Sequence, residues 1–289
     1  MTSHFRRAQP WLGTLVEISM HCADAQLAQQ ASEAAFACIA DVHRLMSFHD
    51  PASDLSRLNQ AAPNQTVLLD PRTCHVLQAA QTLAIESAAA FNPALAHRLV
   101  ASGQLPHPTL NPPPHVGKRT VEQHVVWPLL DFFGNHVSKR QFAWLDLGGI
   151  AKGYAVDLAI EALGQYPLEQ ACVNAGGDLR HIGQGPLPIH LRHPGNPARL
   201  TETYPLDNAA LASSASNGLT PADQQHAPTL LQGQSGMPLR RNCGVTIVAP
   251  SCMHADALTK IVLSSENPEH PMLARYHARV AAFHAPSPS

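Results

Sequence analysis

Three short stretches of this chain carry residue types at spacings that could do chemistry. The first is Asp146-Leu-Gly-Gly-Ile-Ala-Lys-Gly-Tyr-Ala-Val-Asp157. An apolar run over Phe142–Leu147 leads into Gly148-Gly149 and a helical pattern over Ile150–Leu163, so a strand, a tight turn and a helix are expected in that order. Free N–H groups at a helix N-terminus attract anions, and glycines let a phosphate come close to the backbone. Lys152 falls in the first helical turn, where the macrodipole disfavours a cation, so an anion is expected beside it. The alternative is an ordinary strand-to-helix turn with a solvated lysine. Neither the Walker spacing nor the dinucleotide G-x-G-x-x-G is present in this segment.

The second stretch is Val173-Asn-Ala-Gly-Gly-Asp-Leu-Arg180. Gly176 and Gly177 permit positive φ and a close backbone approach to a ligand, with Asp178 directly after them. A plain hairpin turn with an exposed Asp178 is the competing reading. The third stretch, His254-Ala-Asp-Ala-Leu-Thr-Lys260, follows an expected strand at Val245–Ala249. Asp256 and Lys260 are four apart and share a helix face, with Thr259 beside them. A carboxylate there can hold a hard cation or act as a base, or simply pair with Lys260 on the surface.

The elements that must position these residues read as α+β. Leu12, Thr14, Val16, Ile18 and Met20 alternate on one strand face, and amphipathic helices are expected over 23–47 and 71–89. Short strands are expected within 125–137, at 171–174 and 178–182 around the Gly pair, and near 189–192, 209–214 and 245–249. A last helix covers Met253–Leu263, and 270–289, ending Ala-Pro-Ser-Pro-Ser, reads as a partly flexible tail. No repeat or linker divides the sequence, so one domain over 1–289 is expected.

Composition narrows the function classes. The chain has 289 residues, 45% apolar, with 19 Lys+Arg against 21 Asp+Glu, so it lacks the basic face that nucleic acid binding needs. Its 18 His are scattered without a His-x-His or His-Glu-x-x-His cluster, and its six Cys form no Cys-x-x-Cys, which fits reduced thiols better than zinc. No run of eighteen apolar residues and no leader or lipobox is visible, so no membrane insertion is expected. The expected location is cytoplasmic, or periplasmic if a leader has been trimmed.

Taken in order, these segments resemble the ApbE family, the FAD:protein FMN transferases. The resemblance covers nearly the whole chain. It rests on Pro10-Trp-Leu-Gly-Thr14, on Met46-Ser-Phe-His-Asp-Pro-Ala-Ser-Asp-Leu-Ser-Arg-Leu-Asn59, on the Asp146–Asp157 and Val173–Arg180 segments, and on Ala255-Asp-Ala-Leu258. It implies an ApbE-like, T-fold-related α+β fold with mixed or antiparallel sheets and flanking helices. It also implies an enzyme that binds FAD with Mg²⁺ near the pyrophosphate, attaches FMN through a phosphoester to a Ser or Thr of a partner flavoprotein, and releases AMP. By position, Leu12, His49, Asp146, Lys152, Gly176, Gly177, Asp178 and Lys260 would bind FAD. The Gly149 carbonyl, Asp256 and Thr259 would hold the metal, and Asp256 and His226 would be catalytic.

Several positions depart from the family pattern. Lys260 stands where the family carries a metal-ligating Thr, and a protonated lysine offers no lone pair to Mg²⁺. Its ammonium is therefore expected to substitute for the metal charge, paired with Asp256 and facing the pyrophosphate. The segments His226–Gly236 (with Gln232 at the Asp position), Phe91-Asn-Pro-Ala94 and Ser214-Ala-Ser-Asn217 are altered as well. Two other readings stay open: a flavin-binding or carrier protein of this family without turnover, and an FAD pyrophosphatase.

Overall fold

Alternation of apolar and polar residues, closed by short turns, builds most of the framework. In the computed structural model, which describes residues 2–108, 125–194, 196–216, 230–239 and 242–285, the chain opens with strands β1 (Ser3–Trp11) and β2 (Thr14–Cys22). Helices α1 (Ala25–Met46) and α2 (Asp54–Gln60), strand β3 (Val67–Leu68), and helices α3 (Pro71–Glu86) and α4 (Ala96–Ala101) follow. Next come β4 (Leu130–Phe133), β5 (His136–Lys139), α5 (Ala151–Leu163), β6 (Gln170–Ala175), β7 (Asp178–Gly183), β8 (Leu187–His193) and β9 (Asn196–Leu206). The remainder is β10 (Ala210–Ser216), β11 (Cys243–Ala249), α6 (Cys252–Ser265), α7 (Met272–Arg275) and β12 (Arg279–His284).

Seven strands pair antiparallel in the order β1-β2-β6-β7-β10-β11-β12. One face of this sheet, with Val16, Ile18, Val173, Ala212, Val245 and Ile247, joins α1, α5 and α6 in the main core. The other face holds a smaller cluster, including Leu179, Leu211 and Val248, under the β8–β9 hairpin. Helix ends follow local chemistry. Asp24 accepts the Leu27 N–H at 2.8 Å, and Asp70 accepts that of Arg72 with Pro71 at the first helical position. The fold is α+β with antiparallel sheets and flanking helices, as the sequence implies.

Three local expectations are corrected. Leu12 lies in the β1–β2 turn rather than in a strand: Leu12 and Gly13 both have positive φ, the two-residue geometry that suits a twisted hairpin. Strand β1 itself carries His4, Arg6 and Arg7 on an exposed edge, so it lacks the half-buried alternation that betrays a strand. The segment 270–285, expected as tail, supplies α7 and the edge strand β12.

Phe142–Leu147 is the third correction. It forms no ladder, because side chains answer its backbone. Asn59 donates to the Leu145 carbonyl and accepts the Leu145 N–H, each at 2.8 Å. Lys139, fully buried, donates to Ala143 O at 2.9 Å and Asn59 O at 3.0 Å. Burial pushes the Lys139 amine down to about 7, from an ordinary 10.5. Between those values the unfolded chain binds more protons than the folded one, so stability rises with pH across that window, by up to about tenfold in the folding constant per pH unit. Urea unfolding at pH 7 and pH 10 should show this rise in wild type and lose it in Lys139→Met. Parallel pH dependences would refute the assignment.

Candidate active site

The site grows from two helices that cap each other. Helix α5 begins without a side-chain cap of its own, and the Gly153 N–H points to Asp256 Oδ2 of α6 at 3.4 Å. In return, Asp157 of α5 accepts the Cys252 and Met253 N–H groups, both at 2.9 Å, and the Ser251 hydroxyl at 2.8 Å. Each carboxylate thus meets the positive end of the other helix. Arg180 of β7 donates to Asp157 at 2.8 Å and ties the crossing to the sheet.

Around Asp256 lie two ammonium groups and a second carboxylate. Asp256 is fully buried; Lys260 donates to its Oδ1, and the Lys152 Nζ stands 3.6 Å from its Oδ2. Lys152 pairs with Asp178, which is 2% exposed. Lys260 also donates to the Asp256 carbonyl and to Ser214 Oγ, both at 3.1 Å. Thr259, fully buried, donates to the Asp256 carbonyl at 2.6 Å and lies 2.8 Å from Ser214 Oγ. Two negative and two positive charges therefore balance inside the protein.

The balance is visible in the acidities. Burial alone would raise the Asp256 carboxyl, but Lys152 and Lys260 outweigh it and hold the group below the usual carboxylate range. Burial and the neighbouring Asp256 charge keep Asp178 above that range, against the pull of both lysines. Burial would lower Lys152, yet Asp256 and Asp178 hold it above its ordinary value. The anion that the sequence requires beside Lys152 is thus the protein's own pair of carboxylates.

Lys260 is the link between this cluster and open space. A cavity of about 290 Å³ is lined by Phe91, Asn92, Asp146, Gly148, Gly149 and Lys260. The Lys260 stem runs against Gly149, where an added Cβ would sit 3.4 Å from Lys260 Cε. Asp146 is held by the Gly148 N–H at 3.2 Å, and burial raises its carboxyl above the ordinary value. A second cavity of about 690 Å³ lies on the other face of the large sheet, under β8–β9, and the turn glycines Gly176 and Gly177 line that one.

The fold therefore gathers Asp146, Gly149, Lys152, Asp178, Asp256, Thr259 and Lys260, while Gly176 and Gly177 line a different cavity. His49 is exposed. Leu12 packs partly buried against the main core. His226 lies outside the described residues. Gln232 accepts from Ser235 Oγ of its own loop at 2.6 Å and donates to the Ser264 carbonyl of α6 at 3.4 Å. Two positioning side chains carry no signal of that role in the sequence motifs. Ser214 faces α6 by the alternation of β10, and Asp157 closes the first motif.

As arranged, these residues do not fit a resident divalent cation. Both oxygens of Asp256 face lysines, and the Thr259 hydroxyl is engaged by the Asp256 carbonyl on one side and Ser214 Oγ on the other. Among the described residues no group of three or more His, Cys, Asp or Glu side chains gathers as metal ligands. None of the described helices is long and apolar enough to cross a membrane.

Known proteins resemble this chain in sequence and in fold. A curated FAD:protein FMN transferase of Chlamydia pneumoniae is 25% identical over 260 residues, covering 84% of this chain and 77% of that protein. One of Rhodobacter capsulatus is 30% identical over 175 residues, covering 59% of this chain and 33% of that protein. Among solved structures, the ApbE protein of Thermotoga maritima superposes with a TM-score of 0.81 at 24% identity, over 99% of this chain and 97% of that one. The apo flavinyl transferase ApbE of Pseudomonas stutzeri does so with 0.75 at 20%, over 91% and 84%. These superpositions establish the fold. The sequence profile of the ApbE family matches residues 12–284, and the chain belongs to that family.

Proposed function

We infer that this chain is an FAD:protein FMN transferase, which moves FMN from FAD to a Ser or Thr hydroxyl of a partner flavoprotein and releases AMP. The observation that carries the reading is the cavity where a Gly-Gly turn, Asp146 and the Lys260 ammonium meet, in a chain of this family. In the reaction the acceptor oxygen attacks the FMN-side phosphorus, and the bond from that phosphorus to the bridging oxygen breaks. AMP leaves with that oxygen, and the hydroxyl proton passes to a base. Positive charge beside the diphosphate stabilises the transition state, and Lys260 with Lys152 behind it supplies that charge.

The carboxylates take different parts in this reading. Asp146 alone among them lines the cavity, and burial raises its pKa, so its carboxylate is a stronger base suited to accept a proton. Asp256 holds the two lysines, and Asp178 acts through Lys152. His49, an exposed side chain, is the flavin contact that the family resemblance assigns. A second reading, FAD carriage without turnover, draws on the saturation of Asp256 by lysines, which leaves it no oxygen free to act.

The test combines the protein with FAD and an acceptor flavoprotein domain of a known family member. Covalent flavin is read by in-gel fluorescence and AMP by chromatography. A fluorescent acceptor band with matching AMP is expected, and both should fall by about a hundredfold in Asp146→Asn. AMP without the band would indicate a pyrophosphatase. FAD retention with neither product would leave the carrier reading standing.

A further inference from the structure

We propose that the Lys260 ammonium is a built-in cation, seated where a divalent ion would otherwise bind, so that this chain engages the FAD diphosphate without divalent metal. The proposal rests on the flavin-transferase reading of the same cavity.

The argument starts from donors and acceptors. An ammonium has three N–H donors and no lone pair. Lys260 meets three oxygens: Asp256 Oδ1, the Asp256 carbonyl and Ser214 Oγ. A carboxylate, a main-chain carbonyl and a hydroxyl are the oxygen types that a hard cation selects. Lys260 therefore fills a cradle of cation chemistry with a covalently tethered charge. Its side chain is 19% exposed and lines the cavity, so the charge also reaches a ligand there.

Charge counting leads the same way. Lys152 and Lys260 cancel Asp178 and Asp256. Adding a divalent ion would leave this partly buried group of four at +2, with both oxygens of Asp256 already facing lysines. Removing the Lys260 charge reverses the situation. Lys260→Thr leaves the cluster at −1, releases Asp256 Oδ1, the Asp256 carbonyl and Ser214 Oγ from the ammonium, and adds a hydroxyl. The variant should gain a metal site that the wild type lacks.

The experiment uses the full chain, stripped of divalent ions by a chelator. Calorimetry follows FAD binding with and without Mg²⁺. Electron paramagnetic resonance follows Mn²⁺ binding in the absence of FAD. Wild type is expected to bind FAD within about twofold with or without Mg²⁺ and to show no stoichiometric Mn²⁺. Lys260→Thr is expected to bind one equivalent of Mn²⁺, and Mg²⁺ should tighten its FAD binding by about tenfold or more.

Stoichiometric Mn²⁺ in wild type, or an FAD affinity that needs Mg²⁺, would overturn the proposal. So would a folded Lys260→Thr that takes no Mn²⁺. The two wild-type measurements need no variant, and Lys260→Ser, with the same hydroxyl on a smaller side chain, replaces Lys260→Thr if that variant does not fold. Absence of FAD binding in every condition would defeat the transferase reading and the diphosphate half of the proposal with it, while the Mn²⁺ measurements would still decide whether Lys260 holds a cation's place.

Discussion

Gly153→Ala is expected to destabilise the protein by about 3 kcal/mol and to lower Tm by on the order of 10 °C, although alanine is the better helix former. The reason is the closeness of α5 to α6. A Cβ on Gly153 would lie 2.3 Å from the Cys252 carbonyl oxygen, 2.5 Å from its carbon and 2.7 Å from the Met253 nitrogen. All three are backbone atoms, so no side chain can rotate away. Ordinary contact begins at 3.4 Å, and the helices must part by about 1 Å to reach it. That movement pulls the Cys252 and Met253 N–H groups from Asp157, and Gly153 N–H from Asp256. FAD binding should fall with stability, because α6 carries both Asp256 and Lys260. Gly177→Ala is the control: it meets nothing within 4 Å and adds only the strain of its positive φ. Thermal melts of the two variants check the contrast, and a Gly153→Ala melt at the wild-type Tm would refute the packing argument.

Periodicity and caps make much of this framework legible in the amino-acid sequence. Helix α1 announces itself through Leu27, Ala31, Ala34, Cys38, Val42 and Leu45, and α3 through Asp70-Pro71. The Gly176-Gly177 turn closes β6 onto β7 as its residues dictate. What stays hidden depends on partners remote in sequence. Phe142–Leu147 has the apolar pattern of a strand, yet Asn59, 86 residues before Leu145, answers its backbone. The Asp256–Lys260 pair can be read from a spacing of four. That Asp157 would cap α6 cannot, because the contact spans 95 residues. Lys152 signals that an anion lies near, and only the fold identifies Asp178 and Asp256 as that anion.

The larger test of that internal charge balance is Asp256→Asn. Asparagine keeps the shape but removes one of two negative charges, leaving Lys152 and Lys260 with Asp178 alone. Breaking a buried ion pair costs about 3–5 kcal/mol where the remaining charge is sealed from water, and a loss of about 3 kcal/mol is expected here. The lower end applies because Lys152 keeps Asp178 and the two lysine side chains are 30% and 19% exposed. The pH dependence follows from the sign of the shift. With its carboxyl held below the usual range, Asp256 contributes stability above the ordinary value of 3.8 and loses it as pH falls through its own lower value. The gap between wild type and variant should therefore be full at neutral pH and close in acid. Charge, rather than shape, is the cause if Asp256→Asn/Lys260→Met recovers stability, since Lys152 and Asp178 then balance each other again. A double-mutant cycle by urea unfolding should give a coupling of about 1–3 kcal/mol. Strictly additive costs would mean that Lys260 and Asp256 stand side by side without depending on each other, and the built-in cation would lose its counterion.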